Sequence, residues 1–396
     1  MAATVWFEEF LTRLPIKSWT PDVEDGAMRQ AVDLANHPCA FKHVALMPDV
    51  HQGYGMPIGG VVAFENAISP NCVGMDIGCG MGAVQTDILA SKVTKAQLRT
   101  IREKIEHTIP TGAGNTHKKQ QEWGVNYFDT LPRWINTVNE VAHIKKSIGT
   151  LGGGNHFIEL QEGSDGFLWI MLHSGSRKVG HSICTYYNKI AKEENARWHS
   201  NIPSKDLAFF PTDSNNGQWY IDDMAFALDY AMENRRRMMN VIKDIVLMEI
   251  PGSVAHEINI HHNYASLEHH FDKNVWVHRK GATSARKGQL GIIPGSMGTP
   301  SYIVEGLGNP ESFMSCSHGA GRKMSRTEAC KKLDIDKCNE DMRGIEFKGF
   351  KKSKQKGLWN IDEAPDAYKN IKIVIDQQVD LVKAITKLYP LAVVKG

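Results

Sequence analysis

Residues 73–82, VGMDIGCGMG, constrain the fold more than any other part of the sequence. Four of these ten residues are glycines, which lack a Cβ atom and adopt positive φ angles, so the backbone can turn tightly around a small ligand or an ion. Asp76 and Cys79 lie three residues apart in this segment, and both side chains are metal-ligand types. Two interpretations are open here: a metal site, or a glycine-rich turn that carries a buried cysteine.

The composition is that of a globular chain without a dominant charge. Of the 396 residues, 42% are hydrophobic and 23% are charged, which allows a sizeable core. The formal net charge is +2, so a nucleic-acid surface must be a local patch. Seven scattered cysteines without a CxxC pair argue against a disulfide framework. Without a leader-like start or a long apolar run, the sequence predicts a cytoplasmic protein with no membrane partner.

Hydrophobic patterns and turn signals predict one α+β domain over residues 1–396, because no repeat, linker or compositional break divides the chain. The helix after Thr94 has the strongest signal, since Thr94 and Gln97 form a capping box and Pro110 ends the apolar stripe. Further helices are predicted at 23–34 and 221–250. Strands are predicted at 44–47, 61–64, 84–86, 155–160, 168–172 and 275–280.

Histidines recur beside glycine or other small residues. Residues 48–51, PDVH, are predicted to form a loop in which Asp49 and His51 are either an acid/base pair or ordinary turn residues. Four further histidines follow in unusual polar segments: His156, His173, His262 and His318. A histidine at a strand end is often a surface residue, but this repetition favours one shared site. Together with Asp76 and Cys79, the ligand types favour zinc, and their number favours two ions.

Basic residues are clustered in a few places. Arg322, near His318, is a candidate charge clamp for phosphate. Arg279 and Lys280 precede a glycine turn and are a candidate phosphate cradle. Arg235 belongs to a run of three arginines that is expected to be a solvated helix face. Residues 348–356 contain five lysines and are either a solvated loop or a contact for the RNA backbone.

Eight segments, in this order and spacing, resemble the RtcB family of RNA-splicing ligases: PDVHQGYGMPIGG, VGMDIGCGMG, GGGNHFIE, HSGSR, HHNY, RKGA, PGSMGT and SHGAGR. The resemblance runs from about residue 44 to the C-terminus. It implies a single compact α+β domain with mixed and antiparallel sheets surrounded by helices, and an active site on glycine-rich loops. It also implies a GTP-dependent enzyme that joins RNA ending in a 3′-phosphate or 2′,3′-cyclic phosphate to RNA with a 5′-hydroxyl.

The resemblance implies a role for each motif. His318 matches the histidine that becomes guanylylated, and Asp49 matches the acid beside it. Two manganese ions, rather than zinc, are implied: Cys79 would bind both, with Asp76 and His156 at one and with His173 and His262 at the other. The residues that match guanylate-binding positions are Asn155, Glu159, Ser296, His318, Gly319, Tyr368 and Lys395.

Two alternatives stand beside the ligase hypothesis. A metal-dependent phosphoesterase would act on RNA ends with the same ligands and without nucleotidyl transfer. A non-catalytic RNA-binding relative is disfavoured because every chemical position is occupied. An archease-type activator is a further partner to consider, and tRNA splicing and the repair of cleaved RNA would require the same site.

Overall fold

The computed structural model describes residues 4–6, 11–123, 131–135, 137–352 and 357–396. Over these ranges the chain forms two large β-sheets with helices packed against them. The predicted α+β class is therefore confirmed.

The first large sheet contains the strands that place Asp49. Its members are β1 (Thr4–Trp6), β2 (Ile16–Ser18), β3 (Ala40–Tyr54), β4 (Met56–Phe64), β11 (Asn263–His270) and β12 (Lys273–Lys280). They lie in the order β1-β2-β3-β4-β12-β11, and all neighbours are antiparallel except β2 and β3. The prediction that residues 48–51 form a loop is wrong, because they continue β3. The β3–β4 register shifts between Leu46 and His51, which locally interrupts the regular pairing around Asp49.

The second large sheet carries most of the predicted metal ligands at its strand ends. Its members are β6 (Gly80–Leu89), β7 (Phe157–Gly163), β8 (Phe167–Ser174), β10 (Val254–His261), β14 (Leu290–Ile293), β15 (Ser301–Gly306) and β17 (Val382–Lys395). They lie in the order β10-β6-β8-β7-β17-β15-β14, and all neighbours are antiparallel. Two small sheets pair β5 (Ala67–Ile68) with β9 (Phe210–Pro211), and β13 (Ala282–Ser284) with β16 (Ser315–Ser317).

The helices are α1 (Asp25–Ala35), α2 (Pro70–Val73), α3 (Lys95–Thr108), α4 (Val138–Ser147), α5 (Lys178–Arg197), α6 (Asn215–Glu249), α7 (Arg326–Lys332), α8 (Ile335–Asp341) and α9 (Ile371–Asp376). Helices α1, α3 and α6 pack against the two large sheets. The predicted capping box is confirmed, since Thr94 and Gln97 each accept a hydrogen bond from the other's backbone N–H. Among the helices of the described ranges, none has the length and apolar character needed to cross a bilayer.

A core between the second sheet and helices α3 and α6 holds the site-bearing strands in place. The α3 stripe of Leu98, Ile101 and Ile105 is buried and belongs to the same cluster as Ile170 of β8 and Ile242 of α6. Each such side chain contributes roughly 1.5–3 kcal/mol on burial. The strands β6, β7 and β8 are thus anchored on their apolar face, which fixes where their ends lie.

The expectation of a solvated arginine band on α6 is wrong for one of its members. Arg235 is only 1% exposed, whereas Arg236 and Arg237 form ion pairs with Glu233. The pattern of three consecutive arginines could not reveal this difference, because the partners of Arg235 come from distant segments.

The proposed phosphate cradle at Arg279 and Lys280 is also wrong. Arg279 is fully buried and forms an ion pair with Glu268. The Lys280 ammonium donates hydrogen bonds to the backbone oxygens of Tyr54 and Asn71, and burial lowers its pKa to about 8. The contacts of both cations are therefore made inside the fold.

Most of the lysine run is exposed or lies outside the described residues. Lys348 forms an ion pair with Glu106, and residues 351 and 352 are exposed. Residues 353–356 lie outside the described ranges. A contact between this run and RNA stays a prediction.

Candidate metal centre and nucleotide pocket

Neighbouring strand ends bring the predicted metal ligands together. In antiparallel neighbours, the start of one strand lies beside the end of the next. Cys79 directly precedes β6, and His156 directly precedes β7. His173 is the last residue but one of β8 and pairs with Phe157 of β7, and His262 directly follows β10. The order β10-β6-β8-β7 therefore gathers these side chains at one end of the sheet.

The ligand atoms form two groups that share Cys79. Its Sγ lies 3.5 Å from Nε2 of His156 and 3.3 Å from Nε2 of His173. Nε2 of His156 lies 3.3 Å from Oδ2 of Asp76, and Nε2 of His173 lies 3.4 Å from Nε2 of His262. Within each group, Asp76–Cys79–His156 and Cys79–His173–His262, the ligand atoms are all within 4.8 Å of one another. This geometry suits two ions with a common sulfur ligand.

Hydrogen bonds to the far ring nitrogens orient two of the histidines. Nδ1 of His156 lies 3.0 Å from the backbone oxygen of Leu151, and Nδ1 of His173 lies 3.1 Å from that of Asn155. A carbonyl oxygen only accepts, so Nδ1 of His173 carries the proton and its Nε2 directs a lone pair towards Cys79. Nδ1 of His156 also lies 3.4 Å from Nη1 of Arg177, which only donates. Burial lowers the pKa of His173 well below its ordinary value, which keeps this ring neutral as a ligand must be.

The donor set fits bound cations better than it fits a metal-free interior. The lone pair on Nε2 of His173 faces His262, whose Nδ1 is buried and has no hydrogen-bond partner among the described residues. Burial, and then the charge of Asp76, raises the pKa of Cys79 well above its ordinary value. A bound divalent ion would be coordinated by the Nε2 lone pair of His173 and would hold the Cys79 thiol deprotonated. Sulfur, imidazole and carboxylate ligands together suit first-row transition metals.

His318 lies beside this centre and is held by Asp49. Oδ2 of Asp49 lies 2.7 Å from Nδ1 of His318 and also accepts from the backbone N–H groups of His318 (3.1 Å) and Gly319 (3.2 Å). Burial alone would raise the pKa of Asp49, but the charge and hydrogen bond of His318 lower it below its ordinary value. The carboxylate therefore keeps the proton of His318 on Nδ1 and leaves the Nε2 lone pair free. The His318 and His262 rings lie 4.8 Å apart between centroids.

The glycine of the RKGA segment, Gly281, packs closely beside His318. Gly281 has a φ of +59°, and a Cβ atom there would lie 2.4 Å from a methyl carbon of Ile58 and 3.0 Å from Cε1 of His318. A side chain at this position would clash with Ile58 and crowd the histidine. Glycine therefore permits the close packing of this segment against His318.

A cavity of about 670 Å³ opens beside His318. The residues predicted to bind guanylate line it, and they are Asn155, Glu159, Ser296, His318, Gly319, Tyr368 and Lys395. The pairing of β17 with β7 places Lys395 opposite Phe157, and its ammonium lies 5.6 Å from the centre of that ring. Strand pairing thus places the C-terminal lysine in the cavity wall. The prediction that the apolar residues 391–394 hold this terminus against the fold is confirmed.

Glu363 organises one side of the cavity, and no motif in the sequence points to this residue. Its carboxylate lies 3.3 Å from the Lys395 ammonium, forms ion pairs with Arg322 (3.1 Å) and Arg326 (3.2 Å), and accepts a hydrogen bond from the hydroxyl of Tyr368. The Arg322 guanidinium also donates to the Tyr368 hydroxyl at 3.1 Å. Arg322 lines the cavity, and its donors hold Tyr368 and Glu363 in place, so its role as a charge clamp for phosphate stays a prediction.

The buried carboxyl of Glu159 gives the protein a pH-dependent stability. Burial raises its pKa to about 8, although the charge of Lys395 and a hydrogen bond from Gln161 act in the opposite direction. The unfolded carboxyl ionises near about pH 4.3. The folded state therefore binds this proton more tightly, and the stabilisation present below about pH 4.3 is lost as the pH rises towards 8.

We expect Glu159→Gln to remove this loss of stability with rising pH. Between about pH 4.3 and 8 the free energy of unfolding of the wild type should fall relative to the variant, by up to about 1.4 kcal/mol per pH unit. Urea unfolding at a series of pH values measures the difference. Parallel curves for the two proteins would contradict the raised pKa.

The paired ligand clusters, the His318–Asp49 pair and the adjoining cavity are the arrangement expected of a metal-dependent enzyme. Comparison with known families identifies which one. The family described as tRNA-splicing ligase RtcB matches residues 30–396, and the chain belongs to this family.

Similar proteins match over nearly their whole length. The chain is 41% identical to the RNA-splicing ligase RtcB of Escherichia coli K12, over 96% of this chain and 97% of that protein. It is 31% identical to the RNA-splicing ligase RtcB of Mycobacterium tuberculosis, over 93% of this chain and 100% of that protein. It is 30% identical to the tRNA-splicing ligase RtcB of Pyrobaculum aerophilum, over 97% of this chain and 95% of that protein.

Proposed function

We propose that this protein is an RNA ligase that uses GTP to join a 3′-phosphate or 2′,3′-cyclic phosphate RNA end to a 5′-hydroxyl end. The observation that carries the proposal is the placement of His318. Its Nδ1 proton is held by the buried Asp49 carboxylate, and its ring lies between the ligand clusters and the cavity. The family membership and the names of the relatives support the same function.

The cavity wall is complementary to guanine. Guanine presents an amino donor and a carbonyl acceptor on its edges. The Glu159 carboxyl and the Lys395 ammonium both line the cavity and supply the opposite hydrogen-bonding types. Tyr368, held by Arg322 and Glu363, adds an aromatic surface to the same wall. We therefore assign the cavity to the guanosine part of GTP.

Three displacements then follow from the position of His318. Its Nε2 lone pair attacks the α-phosphorus of GTP, a P–N bond forms, and the bond to the pyrophosphate leaving group breaks. An oxygen of the RNA 3′-phosphate attacks the same phosphorus, which breaks the P–N bond and moves GMP onto the RNA. The 5′-hydroxyl of the second RNA attacks the activated RNA phosphate and releases GMP. A cyclic phosphate is first opened by water.

The protein's own groups assist each displacement. Asp49 keeps the His318 ring oriented and holds its Nδ1 proton, so Nε2 can form and later lose its bond to phosphorus. We assign the two candidate ion sites to Asp76, Cys79 and His156, and to Cys79, His173 and His262. Manganese ions bound there would neutralise the charge on the phosphates.

The partners of this enzyme are RNA ends and GTP, and an archease-type activator is a further candidate. All seven cysteines are free thiols, which fits the reducing cytoplasm that the cysteine pattern predicts. Cytoplasmic RNA processing, in splicing or repair, is thus the setting we propose.

Removal of the last two residues tests the nucleotide pocket. Deleting Lys395 and Gly396 should reduce the formation of a GMP adduct at limiting GTP by about tenfold or more, because a charge-assisted hydrogen bond contributes about 1.5–3 kcal/mol. The unfolding temperature should stay near that of the wild type, since the apolar part of β17 remains. Adduct yield against GTP concentration measures the loss. Unchanged use of GTP would remove Lys395 from the pocket, and the exposed Lys383→Ala variant serves as the control.

A ligation assay with a labelled phosphate separates the ligase from a phosphoesterase. We expect the labelled 3′-phosphate to appear inside a longer RNA, where a phosphatase cannot remove it, and only when GTP and Mn²⁺ are present. Release of the label as inorganic phosphate without joined RNA would contradict the ligase and favour the phosphoesterase.

A further inference from the structure

Arg235, near the middle of α6, directs a guanidinium group into the protein interior. It is only 1% exposed and is among the largest fully buried side chains. Its neighbours Arg236 and Arg237 bind Glu233, whereas none of the hydrogen-bond partners that the described residues supply to Arg235 is a carboxylate. An ordinary ion pair therefore does not explain its burial.

Two of the acceptors of Arg235 lie next to metal ligands in the sequence. Its Nη1 donates to the backbone oxygen of Gly78 at 2.8 Å and to that of Ser174 at 3.0 Å. Gly78 directly precedes Cys79, and Ser174 directly follows His173. One nitrogen thus joins the ends of β6 and β8 at the point where each presents a ligand.

The remaining donors reach the strand that precedes the third ligand. Nε of Arg235 donates to Oδ1 of Asn259 at 2.7 Å, and Nη2 lies 3.1 Å from Nδ1 of His261. Nδ1 of His261 also lies 3.0 Å from the backbone oxygen of Gly78, so this ring contacts both the guanidinium and one of its acceptors. His262, a ligand in the Cys79–His173–His262 group, is the next residue.

We propose that Arg235 is a positioning residue for the metal centre, which fixes the three ligand-bearing strand ends of β6, β8 and β10 at the spacing that bound ions require. This inference rests on the metal centre of the proposed function. The planar guanidinium offers five donors in a fixed geometry, and a lysine ammonium cannot reach the same acceptors together. Partners of metal ligands typically change metal affinity by about 10–100-fold.

The charge of Arg235 and its geometry have opposite effects on ion binding, which makes the role testable. A positive charge near the centre repels a divalent cation, so its removal alone would tighten binding. Loss of the hydrogen bonds would loosen the strand ends and weaken binding. We expect the geometric effect to exceed the electrostatic one.

Titration with Mn²⁺ alone, followed by calorimetry, tests this role without GTP or RNA. Arg235→Lys keeps the charge and Arg235→Gln removes it, and we expect both to bind Mn²⁺ about 10–100-fold more weakly than the wild type. Arg236→Gln, one residue away on the helix surface, is the matched control and should bind as the wild type does. Wild-type affinity in Arg235→Lys, or tighter binding by Arg235→Gln, would overturn the proposal.

A second variant tests the proposal if the Arg235 variants do not fold. Asn259→Ala removes the acceptor of Nε, together with a hydrogen bond from the Asn259 amide to the backbone oxygen of Met232, and keeps the buried cation. It should weaken Mn²⁺ binding by up to about tenfold, while the metal-free protein unfolds near the wild-type temperature. Unchanged affinity in this folded variant would also overturn the proposal. Wild-type protein that takes up no Mn²⁺ would overturn the metal centre itself, and with it this role for Arg235.

Discussion

Replacement of His318 by alanine should eliminate the covalent GMP adduct that the wild type forms with GTP and Mn²⁺. The variant keeps the cavity and both ligand groups but lacks the ring whose Nδ1 is bound by the Asp49 carboxylate. Because this ring supplies the proposed nucleophile, we expect no detectable adduct and no ligation. Intact-protein mass spectrometry after incubation with GTP measures the result.

The control for this variant is a histidine outside the site. His269 lies exposed on β11, and His269→Ala should form the adduct as the wild type does. Metal content should be measured in both variants, because the His318 and His262 rings are in contact. An adduct that still accumulates in His318→Ala would assign the nucleophile to another residue.

Replacement of Cys79 by serine should disable both ion sites at once. Its sulfur belongs to both ligand groups, and a serine hydroxyl is a poor ligand that stays protonated near neutral pH. We expect Mn²⁺ affinity to fall by more than about 100-fold, since removing a ligand should cost more than removing a partner of a ligand. Guanylylation should be lost together with the metal.

Equilibrium dialysis against Mn²⁺ measures the loss, and Cys39→Ser is the matched control. Cys39 is also a free thiol but belongs to neither ligand group. The unfolding temperature of each metal-free variant shows whether the fold is kept. Wild-type metal content in folded Cys79→Ser would remove the thiol from the centre.

Much of the local structure could be predicted because its causes lie within a few residues. The capping box of α3 depends on Thr94 and Gln97 alone, and an apolar run is sufficient to predict β8. The helix predicted at 23–34 begins at Asp25 and ends at Ala35, because end positions depend on details of capping that patterns do not carry. The candidate ligand residues were recognisable because their types are rare in glycine-rich segments, and the structure groups them, whereas their role as metal ligands stays a prediction.

The contacts between distant segments could not be predicted from residue patterns. Arg235 is buried by acceptors that lie more than 20 residues away in sequence, and Arg279 by a carboxylate on the neighbouring strand. A basic triplet or pair has the same appearance whether it is solvated or paired. Pro48 and the following glycines are turn signals that predict a loop at residues 48–51, but the pairing of Leu46 and His51 with β4 on either side keeps this segment within β3.

The most direct test of the central claim is discharge of the GMP adduct by RNA. Wild-type protein should gain the mass of GMP when mixed with GTP and Mn²⁺, and peptide mapping should place the group on His318. After removal of free GTP, RNA with a 3′-phosphate should take GMP from the protein, whereas the same RNA with a 3′-hydroxyl should not. Metal-loaded wild-type protein that never gains GMP, or an adduct that 3′-phosphate RNA cannot discharge, would contradict the account.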